Sequence, residues 1–117
     1  MVKRSGYIDI HHHIIPEIYL KALNDSGIDK AGGLKIKKWE PQDSIEMMDR
    51  LGIEAGITSI SDPALEPLDP EKRKDVARNI NELQAKLIND YPNRFGAFAT
   101  LPLPDVEGAI ERSEERR

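Results

Sequence analysis

Apolar and polar positions along the chain fall into blocks whose period changes from strand-like to helix-like and back. Tyr7–Ile10 reads as a short strand, followed at once by His11-His12-His13 and then by Ile14, Ile15 and Pro16. Pro16 suits the first turn of a helix, where its missing N–H costs nothing. A helix over about Glu17–Asn24 puts Ile18, Ala22 and Leu23 on one side, and Asn24-Asp25-Ser26-Gly27 ends it. Ile28–Lys38 reads as a loop insertion: Gly32-Gly33 is a flexible break, and Leu34–Lys37 alternates like a short exposed strand.

A second helix opens at Pro41, carries Asp43 in its first turn where negative charge suits the helix dipole, and repeats Ile45, Met48 and Leu51. Gly52 is placed as its left-handed terminating residue. Ala55–Ile60 is apolar enough for a strand buried on both faces. Asp69 then caps a helix with Pro70 at its first position, and Val76, Ile80, Leu83, Leu87 and Tyr91 form one amphipathic stripe. Phe95–Leu101 reads as a third strand. A last helix starts near Asp105 with Ala109 and Ile110 as its apolar face. Strands alternating with helices predict an α/β fold with a parallel sheet and right-handed crossovers.

At 117 residues the chain holds one domain, and 38% apolar with 32% charged residues is globular rather than disordered. A net charge of −4 argues against nucleic acid or an anionic membrane as partner. The absence of cysteine removes disulfides, thiolate metal sites and cysteine nucleophiles together. No apolar run is long enough to span a membrane, and no apolar stretch follows the basic start as in a signal peptide, so a cytoplasmic address is expected.

The chemistry concentrates in the histidine run. In extended backbone, residues i and i+2 share a side, so His11 and His13 can meet one metal ion while His12 points away. Two imidazoles on one strand end suit a divalent ion, zinc above all. Other readings of the run are a solvated loop, or a tag remnant, although it is embedded between IDI and IIP. A small metal-binding module built on the run alone also stays open. Asp9 falls on the His11 side by alternation and reads either as a hydrogen-bond acceptor supporting a ligand or as a residue that caps or solvates the strand end.

The segments IDIHHHIIP, WEPQDSIEMMDRLGIEAGITSIS and NDYPNRFGAFATLPLPDVEGAIE, in this order, resemble the metal-dependent amidohydrolase superfamily. The likeness is to its amidohydrolase-related branch, which contains aminocarboxymuconate-semialdehyde decarboxylase and resorcylate-type decarboxylases. The resemblance implies a TIM-type (β/α)8 barrel with the site at the C-terminal strand ends. It also implies His11 and His13 as the first-strand metal pair, and decarboxylation or hydrolysis of a small carboxylated substrate.

A full barrel takes about 250 residues, so residues 1–117 are expected to form only its N-terminal part, about three βα units. The close ERSEERR suggests a truncated or frameshifted gene or a shortened product. With three histidines in all, the family's later metal and catalytic histidines have no counterpart, and no catalytic residue is assigned. The chain alone is therefore expected to be inactive, and its open sheet edges to favour self-association or docking on a complete homologue.

Of the remaining residues, Trp39 reads as a hydrophobic staple against the Pro41 helix or as a substrate contact. Ser59, Ser61 and Asp62 stand at the C-terminal end of the second strand, which the resemblance makes the active-site mouth, or read as ordinary strand termination; Arg94 reads as structural, and Met47 and Met48 as packing.

Overall fold

A computed structural model describes residues 6–115. The basic start and the final Arg116-Arg117, which entered the expectations about a leader and an early end, lie outside the described residues. Four helices and five strands follow in the order β1 (Tyr7–Ile14), α1 (Glu17–Asp25), β2 (Lys30–Ala31), β3 (Leu34–Lys35), α2 (Pro41–Leu51), β4 (Ile53–Ile60), α3 (Pro70–Asp90), β5 (Phe95–Ala97) and α4 (Val106–Glu114). The three longer strands form one parallel sheet ordered β1-β4-β5, the α/β architecture expected from the alternation. Among the described residues no helix is long and apolar enough to cross a membrane.

The ends of the helices follow local chemistry. Asp43 accepts from the Glu40 backbone N–H at 2.9 Å and so closes the start of α2. Gly52 takes a φ of 72°, which a residue without Cβ adopts freely, and ends the helix. Asp69 and Asp105 cap α3 and α4 by accepting from the Glu71 and Gly108 N–H groups.

Several expectations change on packing. The strand Tyr7–Ile10 runs on through the histidines to Ile14, because β4 pairs with it along that length. The strand expected over Phe95–Leu101 is only Phe95–Ala97. The segment read as an insertion folds into the two-residue antiparallel pair β2-β3, and Ile36 behind it joins the core. In α1 the deeply buried residues are Tyr19 and Leu23, with Ile18 and Ala22 only partly covered. In α2, Leu51 is exposed and Ser44 is buried beside Met48. Ile110 of α4 is exposed while Gly108 and Ala109 are buried. Among the described residues the helices cover one face of the sheet, and the alternating burial of β4 shows that it is not buried on both faces. Ile8, Ile10 and Phe98 stay exposed.

The inner face of α3 is more polar than its stripe implied. Ala77, Ile80, Asn81, Gln84 and Leu87 are buried, whereas Val76 and Leu83 are half-covered. The amides complete backbone bonding that the short strands leave open. Asn81 exchanges hydrogen bonds with the Thr100 N–H and carbonyl, and Gln84 donates to the Thr58 carbonyl. At the opposite end of the sheet the buried Arg94 guanidinium donates to Asp49 and to the Glu54 carbonyl, the structural role expected of it.

Tyr19 fastens the loop that follows β4. Its hydroxyl donates to the Ala64 carbonyl at 2.8 Å and approaches the Ser61 carbonyl at 3.3 Å. Burial, and secondarily the nearby Asp62 charge, pushes this phenol well above its ordinary value of about 10. A raised folded-state value stabilises the fold fully below the unfolded value and loses that contribution as pH climbs toward the folded one. Replacing Tyr19 with Phe is expected to lower stability by about 1–2 kcal/mol at neutral pH. It should also remove part of the fall in stability above pH ~10, as measured by denaturant titration across pH.

Candidate metal centre

The site begins with an irregularity in β1. Asp9 pairs with Gly56 and His12 with Thr58, so Ile10 and His11 together stand opposite Ile57 alone. This is a β-bulge, and it shifts the alternation by one residue. Asp9 therefore shares a face with His12 rather than with His11. The expected placement of Asp9 on the His11 face is corrected accordingly. One Asp9 oxygen accepts the His11 backbone N–H at 3.1 Å, and the other lies 3.1 Å from His12 Nδ1.

His11 and His13 project together onto the uncovered face. Their Nε2 atoms lie 2.8 Å apart, with the rings edge to face. At that distance one ring nitrogen donates its proton to the other. Two zinc–nitrogen bonds at tetrahedral angles hold nitrogens about 3.3 Å apart, so an ion taking the place of that one proton needs the rings to part by about half an ångström. Ser59, read from the sequence as ordinary strand termination, places its hydroxyl 3.2 Å from His13 Nδ1. If Nδ1 donates to that oxygen, the Nε2 lone pair faces His11, the tautomer a metal needs. Among the described residues no third His, Cys, Asp or Glu joins the pair. Ser61 and Asp62 belong to the Tyr19-clamped loop.

His12 points the other way, as expected from its middle position, and enters a hydrogen-bonded chain that the sequence did not announce. Its Nε2 lies 2.7 Å from Ser44 Oγ, and the Trp39 indole N–H donates to the same oxygen at 2.8 Å. The Ser44 oxygen accepts from the Trp39 indole, and the Asp9 carboxylate, an acceptor, takes the His12 Nδ1–H, so in the neutral ring Nε2 accepts from the Ser44 hydroxyl. Trp39 also packs with Met48, Leu87 and Phe95, which supports the staple reading. A cavity of about 310 Å³ is lined by the three histidines, Asp9, Trp39 and Met47.

Gly56 makes room for this ring: a Cβ there would stand 2.7 Å from His12 Nδ1. The Gly56→Ala variant is expected to lose about 1–3 kcal/mol of stability, because a ring held at both nitrogens cannot step aside cheaply. Thermal or chemical unfolding measures this.

The amidohydrolase family pattern matches residues 8–117. The chain belongs to the amidohydrolase family. It is 39% identical over 111 residues to decarboxylase yanB of Aspergillus niger, covering 91% of this chain and 30% of that protein. It is 35% identical over 103 residues to gamma-resorcylate decarboxylase of Rhizobium sp., covering 86% of this chain and 31% of the relative. The chain thus spans about a third of the length of these curated relatives.

Among solved structures it resembles an amidohydrolase II at a TM-score of 0.86 and 26% identity, over 94% of this chain and 36% of the other. It also shares the fold of a dihydroxybenzoic acid decarboxylase from Polaromonas sp. with bound manganese (TM-score 0.64, 24% identity, 97% and 35% coverage). The parallel sheet is accordingly the N-terminal portion of a TIM-type barrel, and the family is metal-dependent.

Proposed function

We propose that the chain supplies the first-strand metal pair, His11 and His13, of a carboxy-lyase that removes carbon dioxide from a small carboxylated aromatic acid. The observation that carries this reading is the meeting of the two Nε2 atoms, 2.8 Å apart, near the C-terminal end of β1. The names of the relatives favour decarboxylation over hydrolysis and a hydroxybenzoate-like substrate. Imidazole donors suit zinc, while the Polaromonas structure holds manganese, so both ions belong in the test. A bound ion would act as a Lewis acid toward the substrate carboxylate or phenolic oxygen. The chain's own residues aim the pair: Ser59 orients the His13 ring, and the bulge turns His11 to meet it.

Titration calorimetry with zinc and with manganese is expected to show one ion per chain or one shared between chains. Binding should vanish when His11 and His13 are both changed to Ala, and weaken about tenfold or more in Ser59→Ala. A chain that binds neither ion overturns the reading. With only two protein ligands among the described residues and the remaining histidine, His12, engaged by Asp9 and Ser44, the chain alone is expected to leave 2,6-dihydroxybenzoate unchanged. Metal-dependent release of carbon dioxide by the purified chain, lost in the double variant, would contradict that second expectation.

A second reading, self-association, is favoured by the exposed Ile8 and Ile10 on a strand whose outer edge has no neighbour among the described residues. Native mass spectrometry is expected to show an oligomer, and a strictly monomeric spectrum would remove this reading.

A further inference from the structure

We infer that His12 is a positioning residue: held at both ring nitrogens, it anchors the bulge that makes His11 and His13 converge. The inference rests on the proposed metal reading of those two residues. It concerns a residue that cannot itself be a ligand, because its nitrogens are committed to Asp9 and Ser44.

The geometry assigns the role in three steps. His12 lies between the bulge and the next residue of the pair, so its backbone sets the relative direction of His11 and His13. Its ring is 4% exposed and rests where Gly56 lacks a side chain, edge-on to Phe95. The ring therefore has one seat. The partners come from two elements: Asp9 from β1 itself and Ser44 from α2, whose hydroxyl is in turn held by Trp39. A change of local twist between His11 and His13, which would separate the two Nε2 atoms, turns the intervening His12 and strains its bond to Ser44. A flanking anchor of this kind acts on a metal site as hydrogen-bonded outer partners do, through the orientation of the ligands.

The test measures zinc affinity and Trp39 emission on the same samples, since Trp39 is the sole tryptophan of the chain. His12→Phe keeps an aromatic ring beside Phe95 without the hydrogen bonds, Ser44→Ala removes only the α2 side, and Ser44→Thr restores a hydroxyl. Zinc binding is expected to weaken about tenfold or more in His12→Phe and Ser44→Ala and to recover in Ser44→Thr. Trp39 emission should shift in Ser44→Ala and return in Ser44→Thr.

Wild-type affinity in a folded His12→Phe or Ser44→Ala chain overturns the inference and leaves the metal pair standing. Weakened affinity in Ser44→Thr equal to that in Ser44→Ala overturns it as well. Should His12→Phe fail to fold, the serine pair decides. A wild-type chain that binds neither zinc nor manganese removes the functional reading and this inference together, and a chain that binds manganese alone is tested with the same variants on manganese affinity.

Discussion

Between Asp9 and His12, β1 carries two residues against the single Ile57 of β4, and the direction of every side chain at the site follows from that surplus. In a regular strand Asp9, His11 and His13 would share one face. With the bulge, Asp9 turns toward the helices with His12, while Ile10 and His11 both turn to the open side. One extra residue separates the group that can bind an ion from the group that holds the strand in place.

The packed side meets a strict requirement. A buried imidazole with an unpartnered nitrogen would cost more than the fold could regain by packing its ring. Here each nitrogen has a partner, Asp9 or Ser44, and the Ser44 hydroxyl is itself supplied by the Trp39 N–H. Gly56 is part of the same arrangement, since any larger residue would displace the ring. Gly96 plays the corresponding part on the other face of the sheet, where a Cβ would meet Ile57 Cδ1 at 2.6 Å. These glycines of the neighbouring strands β4 and β5 thus serve close approach rather than turning.

Local signals made the architecture readable. The proline-started helices, the left-handed Gly52 and the capping Asp69 all act within a few residues, and all are found where the pattern puts them. The i, i+2 spacing of His11 and His13 likewise led to their common face. What escaped depends on partners far along the chain. Ser44 looks like an ordinary helix residue until His12, 32 positions away, is packed against it. Ser59 looks like a strand end until His13 lies beside it, and Gln84 and Asn81 interrupt an apolar stripe because strand backbones need them. The bulge has no composition of its own, and so the face of Asp9 was read wrongly.

The same division decides where further ligands can come from. On the helix-covered side the polar groups near the pair are already used: Asp9 by two donors, His12 by two partners, Ser44 by Trp39 and His12. None of these three can turn toward an ion without giving up one of those bonds, and Asp43, which lines the same hollow, holds the Glu40 backbone N–H. The uncovered side carries Ile8, Ile10 and Phe98, exposed and without donor atoms. An ion held by His11 and His13 therefore completes its shell with water, substrate oxygen or residues brought across that open face. The relatives are about three times as long as this chain, and the open face is the one on which the rest of a barrel would close. On the proposed metal reading, this chain supplies the two imidazoles and the bonds that hold them, and any further ligand would have to reach them from the open side.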